Sequence, residues 1–419
     1  MKKLLQKFSL IKANELKATV ASFVMVFTIM ACYFILRPVR DSMASDWSDT
    51  EVSMLWNLQF FISIGIVSIY GLIISKIKFK NVVPIVYSSF SASFFGFYLI
   101  TQNFTDPILV EKSFYIWVSA FSLFNLSVFW SFMSDTFDKE QGQRLFAIIG
   151  AGASLGAVIG PMIPALFAKQ LGVQNLMLIA AGGLLLVIPL ILYIYRLKIS
   201  ELNNQELRVD LAQHKLSSSW FSGFNSTVTN PYLLGIGLFI LLYVFIGSFV
   251  YFEQKNLLAQ YTRPQRVVIL GSIDWIINFS TFFMAFFVTG RIVKKFGMSI
   301  TLSLMPLLLF IGMLILAFAP MVVILLGIQV VRRVGNYAVT RPAREMLFTQ
   351  VTTDERFKAK PVIDIVVYRG GDAVSGSLFA VLTESFGLGL AAVSLVGAVI
   401  ASFWTWIAII IGKNYEKNR

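Results

Sequence analysis

The chain has very little of what most enzymes use. Its one cysteine, Cys32, can close no internal disulfide and join no cysteine metal cluster. Its one histidine, His214, sits in a polar stretch and reads as a solvated loop residue, so zinc chemistry and Ser-His catalysis have no material. Charge is also scarce: 14% of the 419 residues, against about 25% in soluble domains. The charge present is lopsided, 35 Lys and Arg against 22 Asp and Glu. No basic stripe lies on a soluble, aromatic-bearing domain, so nucleic-acid binding is not expected. The basic N-terminus leads into a long apolar run, with no small-residue cleavage site after a short one, so no cleaved signal peptide is expected.

What fills the chain is apolar. Hydrophobic residues make up 57% of it, and long runs read as membrane spans at about 20 residues each. They fall at 18–36, 54–75, 82–101, 113–134, 145–168 and 174–195, then at 231–252, 267–290, 297–318, 321–348, 361–386 and 388–412. The predicted fold is therefore all-α, with twelve transmembrane helices. The one long polar interval, 196–230, divides the spans six and six and reads as a linker, partly helical from Ser200 to Gln213. With the N-terminus inside, 20 Lys and Arg residues fall on the inner side and 7 outside, leaving aside eight at or near membrane depth between 332 and 369. The positive-inside rule then puts both termini and the linker in the cytoplasm, for a multi-pass protein of a bacterial inner membrane.

The halves repeat weakly. Tyr33-Phe34 matches Tyr251-Phe252, Ser53 and Trp56 match Ser272 and Trp275, and Gly71 before Lys76, Lys78 and Lys80 matches Gly290 before Arg291, Lys294 and Lys295. Gly156 likewise matches Gly370. Near-constant spacing on a symmetric layout indicates two homologous halves, 1–195 and 231–419. That is the internal symmetry of a major facilitator transporter, whose site lies between the halves near the midplane.

Charge at membrane depth costs energy, so each instance is a site candidate. At about 1.5 Å per residue, Arg332 and Arg333 lie roughly 18 Å into span ten, near the middle of a ~30 Å core. Asn336 shares the Arg332 face at i+4. In span eleven Arg369 and Asp372 are i, i+3 neighbours able to pair. Span eight places Asp274 and Asn278 on one face, and span four places Asn125 at similar depth. The bland alternative is that these charges merely pair with one another, but the arginines outnumber the carboxylates. Unpaired guanidinium groups suit a carboxylate or phosphate ligand.

The stretch "YFILRPVRDSM", Tyr33 to Met43, poses a choice between membrane anchor and binding mouth. Pro38 bends the end of the span, and Asp41 beside Arg40 is more than an anchor needs. The mouth is favoured, formed by Arg37, Arg40 and Asp41 with Lys255 and Glu253, the last expected to meet Arg37 or Arg40. Gly152, Gly156 and Gly160 lie four apart and read as a helix-packing face, not a phosphate loop. The aromatic residues of spans three and four read as core or lipid-facing, not as a base-stacking platform.

These motifs together resemble the nucleotide transporter family, the ATP:ADP antiporters of plastids and intracellular bacteria. The first-span stretch keeps Leu36, Arg37 and Asp41 of that family's Leu-Arg-x-x-Lys-Asp, with Arg40 in place of the lysine. The segment Phe129 to Gly156 resembles its fourth-to-fifth-span region, including Arg144-Leu145 and Gly150 to Ala153. The segment Arg344 to Val367 resembles the stretch leading into span eleven, which maps Arg344, Glu345, Lys358, Lys360 and Asp364. Two departures stand out. Asp372 occupies "YRGGDAVSG" where the family has a lysine, and the span-seven carboxylate falls at Val250, with Glu253 one turn later.

The expected function is transport of an anionic metabolite, with a nucleotide or other phosphorylated compound implied by the resemblance. Arg332, Arg333 and Arg369 would bind it, with Asn336, Asn278 and Asn125 at similar depth. Asp274 and Asp372 would hold the arginines or carry a coupling proton. Asp135, Arg144, Arg344, Glu345, Lys358, Lys360 and Asp364 would form an inner gate. A proton or a counter-substrate would drive the cycle, and no catalysis, cofactor or metal is expected of a monomer in the bilayer. The alternatives are a proton-coupled transporter of another organic ion and a non-transporting membrane scaffold or sensor.

Overall fold

The computed structural model describes residues 11–76, 79–103, 108–202, 227–287, 289–351, 359 and 362–417, and every element in it is helical. In the first half these are α1 (Leu16–Ala44), α2 (Asp49–Lys76), α3 (Phe79–Asn103), α4 (Ile108–Thr136), α5 (Lys139–Ile159), α6 (Met162–Leu171) and α7 (Val173–Ser200). The second half has α8 (Pro231–Leu258), α9 (Arg263–Phe287), α10 (Thr289–Phe318), α11 (Val322–Gly335), α12 (Arg341–Leu347), α13 (Tyr368–Ala380) and α14 (Leu390–Lys417). Ten helical stretches among the described residues are long and apolar enough to cross a membrane. The spans predicted at 54–75 and 361–386 coincide with α2 and with a helix interrupted by π turns, neither of them among those ten. The predicted linker helix lies outside the described residues.

Local chemistry explains where helices begin and break. Asp138 accepts from Gln141 N while the Gln141 side chain accepts from Asp138 N, a capping box that starts α5. Asn230 accepts from Tyr232 N and Leu233 N ahead of Pro231, which gives α8 a capped first turn. In span ten, Pro342 cannot donate to the carbonyl one turn back, and a π segment, Asn336–Thr340, separates α11 from α12. Span eleven opens with a π segment at Val362–Val367 just after Pro361 and closes with another at Val381–Ser385.

By contacts the chain forms two compact units. They follow the two halves except for one reciprocal exchange: unit 1 takes Tyr261–Trp275 and unit 2 takes Ser45–Phe61. The exchanged pieces hold the starts of α9 and α2, equivalent positions in the internal repeat.

In unit 1, α1 packs against α4, α5 and α7. The glycine face of α5 makes the α1 contact. A Cβ on Gly152, Gly156 or Gly160 would come within 3.0 Å of the carbonyl oxygens of Phe23, Phe27 and Ala31 in turn. Three successive turns of α1 thus meet three bare turns of α5, the close backbone approach expected of small-xxx-small faces. Part of the aromatic set of α3 and α4 is core and part is not: Phe94, Phe114 and Phe121 are fully buried and the Phe90 and Phe121 rings lie 4.8 Å apart, whereas Phe95 is exposed.

In unit 2, α8 packs against α11, α13 and α14, and α10 runs along α14. Gly371 and Gly376 bring α13 onto α8: a Cβ on Gly371 would touch Leu241 and Val244, and one on Gly376 would touch Trp56 and Phe252. Inside α10, Gly297 has φ +79°, a conformation that favours glycine. The Glu416 carboxylate of α14 accepts from Met298 N and Ser299 N just after it.

Candidate functional site

Unit 1 gathers the charges of the first-span motif. Arg40 Nε and Nη2 donate to Asp41 Oδ1 at 2.9 and 2.7 Å, and its Nη1 donates to Ser119 Oγ on α4 at 3.1 Å. The same guanidinium lies 5.3 Å from the Tyr115 ring centre. Arg37 Nε lies 3.7 Å from Asp41, and its Nη1 lies 3.6 Å from Asp274 near the middle of α9. Arg37 and Arg40 are only 22% and 13% exposed. They turn into the protein instead of reaching outward as headgroup anchors would. The start of α9 is tied down further by Arg263 on Glu111 and by Arg266 Nη1 donating to Ser42 O at 3.2 Å.

Two expectations change here. Asp274, placed by sequence beside the midplane arginines, instead pairs with Arg37. Glu253, expected to meet Arg37 or Arg40, is buried in unit 2 and accepts from Ser394 Oγ on α14 at 2.8 Å. Asn278 shares α9 with Asp274, but the two fall in different compact units. Asn125 is buried, its Oδ1 accepts from Leu126 N, and its carbonyl accepts from Tyr87 Oη at 2.8 Å.

Unit 2 holds the arginine cluster. Arg332 Nε and Nη2 donate to Gln329 Oε1 at 3.0 and 2.6 Å, and Gln329 Nε2 donates to Gln254 Oε1 at 2.7 Å. The Arg332 guanidinium lies 5.9 Å from the Tyr243 ring centre, and the Tyr243 ring lies 6.4 Å from that of Tyr368. A Cβ on Gly247 would sit 2.8 Å from Arg332 Nη1, so the bare glycine makes the room in which the guanidinium lies. Among the described residues Arg332 has no carboxylate at ion-pair distance: neutral amide and aromatic groups hold it. Arg333 is buried beside it, and Asn336 caps α11 through its backbone N–H on Arg332 O and Arg333 O. On α13, Arg369 Nη1 lies 3.5 Å from Asp372 Oδ2, the pairing expected from their spacing. Ser375 Oγ, one turn on, meets Ser248 Oγ of α8 at 2.6 Å.

The residues expected to gate the inner side form pairs within unit 1 or lie apart. Arg144 donates bidentately to Glu15, at 3.0 and 2.8 Å, and Lys198 donates to Asp135 at 2.9 Å. Burial would raise the Glu15 carboxyl, but the hydrogen bonds from Arg144 and from Lys12 N, with the positive charges beside them, hold it below its ordinary range. Arg344 donates to its neighbour Glu345 at 3.1 Å. Lys358, Lys360 and the Asp364 side chain lie outside the described residues.

Sequence reasoning missed Gln329, Gln254 and Tyr243, which cradle Arg332, and it missed Asp49. Lys255 Nζ lies 2.8 Å from Asp49 Oδ1 and donates to Trp47 O at 2.6 Å, and Asn256 and Thr383 donate to Asp49 Oδ2 at 3.1 and 2.8 Å. Glu384 accepts from Asp49 N at 2.6 Å and from the Thr50 hydroxyl. A neutral amide at i−3 from an arginine at membrane depth was the available signal for Gln329.

Comparison with known proteins agrees with this architecture. The chain is 20% identical to ADP,ATP carrier protein 1 of Chlamydia trachomatis, over 95% of this chain and 88% of that protein. It is also 20% identical to the Chlamydia muridarum protein of the same name, over 88% of this chain and 82% of that one. Among solved structures, the nucleoside transporter NupG aligns with a TM-score of 0.63 at 11% identity, over 96% of this chain and 99% of that one. A POT family transporter in complex with 5-aminolevulinic acid aligns with a TM-score of 0.66 at 14% identity, over 95% and 96% of the two chains. The sequence description of the Major Facilitator Superfamily matches residues 23–352. The chain belongs to the Major Facilitator Superfamily and is, with that family, a multi-pass membrane protein and secondary transporter.

Proposed function

We propose that the chain moves an anionic metabolite by alternating access, and that the anion is a nucleotide or another phosphorylated compound. The observation that carries this reading is the state of Arg332. Its guanidinium is held by Gln329 and lies against Tyr243, with no carboxylate at ion-pair distance among the described residues. An arginine oriented by neutral groups, with Asp372 close enough to feel its charge but not at ion-pair distance, is ready for an external anion. Arg369 adds a second guanidinium whose partner Asp372, at 3.5 Å, can be exchanged for substrate. The likeness to ADP,ATP carrier proteins supports the phosphorylated class.

In this reading Arg37 with Asp274, and Lys255 with Asp49, close the outer side and break when the site opens outward. Arg144 with Glu15, Lys198 with Asp135, and Arg344 with Glu345 lie on the inner side, with both termini in the cytoplasm of a bacterial inner membrane. A thermal-shift panel on the purified protein tests the substrate class. Nucleotides and sugar phosphates raise the melting temperature, whereas the parent nucleosides and sugars do not. Stabilisation by neutral or cationic compounds only would end the anion reading.

A further inference from the structure

Six acidic residues are buried among the described residues, and five have a basic partner. Glu15 pairs with Arg144, Asp41 with Arg40, Asp49 with Lys255, Glu111 with Arg263 and Asp274 with Arg37. The sixth is Glu253, only 1% exposed. Its Oε1 accepts from Ser394 Oγ at 2.8 Å. Its Oε2 is buried and has no hydrogen-bond partner among the described residues. The charged groups on the elements around it are engaged elsewhere or set apart. On α8 itself, Lys255 is bound to Asp49 and Trp47 O. On α11, Arg332 is held by Gln329, and Arg333 is buried one residue on. On α13, Arg369 and Asp372 face each other. In the neighbouring 45–61 and π segments, Glu51 accepts from Ser48 N and Glu384 accepts from Asp49 N. On α14, Lys413, Glu416 and Lys417 lie at the end of the helix opposite Ser394.

An ionised carboxylate at Glu253 would place a full charge out of water with one oxygen given nothing in return. That costs far more than burying the neutral acid. We infer that Glu253 is a proton-binding site: its carboxyl holds a proton while it is sealed against Ser394, and loses it to water when α14 and α8 part. On release the proton leaves the carboxyl oxygen for water, and the bonding electron pair stays on the carboxylate. This adds a driving ion to the transport reading and depends on that reading only for its role in the cycle, not for the site itself. Proton loading on one face and unloading on the other would couple substrate movement to a pH gradient.

Infrared spectroscopy of the purified full chain tests the site without any substrate. An ordinary glutamate, with a pKa of about 4.3, is ionised at neutral pH. The wild type should nonetheless show the C=O stretch of a protonated carboxylic acid at neutral pH, and Glu253→Gln should lose it. Ser394→Ala should keep the band but move it to higher frequency, because the carbonyl loses its donor. Where Glu253→Gln does not fold, the Ser394→Ala shift decides alone. Superimposable spectra of wild type and variants in this region would overturn the inference. Its role is read in proteoliposomes of phosphatidylethanolamine and phosphatidylglycerol, with labelled ATP as probe. Glu253→Gln should retain exchange against internal ATP but lose accumulation driven by an imposed pH gradient. Gradient-driven accumulation unchanged in Glu253→Gln rejects the coupling role. Absence of ATP uptake by the wild type counts against the nucleotide reading and leaves the infrared result standing.

Discussion

Arg332 depends on three residues that do nothing by themselves: Gln329 orients it, Tyr243 faces it and Gly247 leaves it room. A Cβ at position 247 meets only the far end of a flexible side chain, so Gly247→Val should displace the guanidinium with little loss of fold stability. The expected result is weaker binding of an anionic ligand by about 10- to 100-fold, the worth of one or two charge-assisted hydrogen bonds at about 1.5–3 kcal/mol. Isothermal titration of the stabilising ligand measures it, and unchanged affinity would place the ligand elsewhere. Arg332→Lys should not restore binding, since a point charge lacks the planar fork. A second residue-scale prediction concerns Glu15. Its folded pKa is lowered, so the stability it contributes is present above its unfolded value and lost as pH falls through the folded one. Acid melting curves of wild type and Glu15→Gln should converge at low pH and separate at neutral pH, with the variant melting lower there. At this scale the sequence made the charged residues legible, because charge at membrane depth is conspicuous. It paired Arg369 with Asp372 but did not pair all of them. Asp274 and Glu253 found partners on helices whose proximity no spacing rule encodes.

Among the elements, the glycine face of α5 was readable because a four-residue spacing of small residues has few other uses, and three turns of α1 seat against it. Gly156→Leu should force the two helices apart and lower stability by about 1–3 kcal/mol or more, the usual cost of overpacking. Gly182→Ala, at a position where a Cβ would meet nothing within 4 Å, is the control and should be nearly silent. Thermal unfolding in detergent compares the two, and an equal effect would show that the close approach is not what holds α1 to α5. The breaks in spans ten and eleven were less legible. Proline marks two of them, at Pro342 and Pro361, yet the hydropathy of a continuous apolar run says nothing of a π turn. These turns border the arginine cluster: Asn336–Thr340 follows Arg332 and Arg333, and Val362–Val367 precedes Arg369. Widened turns of this kind are frequent at functional sites, where they re-aim side chains.

For the whole molecule, composition fixed the class, all-helical and membrane-spanning, while the assignment of Ser45–Phe61 and Tyr261–Trp275 to the compact units was not legible in the sequence. The lock on the 45–61 segment is the buried Lys255–Asp49 pair with Asn256 and Thr383. Lys255→Met leaves Asp49 without its cation and should cost about 3–5 kcal/mol in the state that holds the pair. The transporter should then favour the state in which the segment is released. A cysteine placed at the buried Ser53, in a background where the buried Cys32 is replaced, should label faster in Lys255→Met than with Lys255 intact. Equal labelling would assign the pair to folding alone. The central claim is that this secondary transporter carries a phosphorylated anion on Arg332. Uptake of labelled ATP into proteoliposomes tests it most directly, comparing wild type with Arg332→Ala, with and without internal ATP. The account predicts saturable uptake by the wild type, faster against internal nucleotide, and none above empty vesicles for Arg332→Ala. Equal uptake by wild type and variant would contradict it.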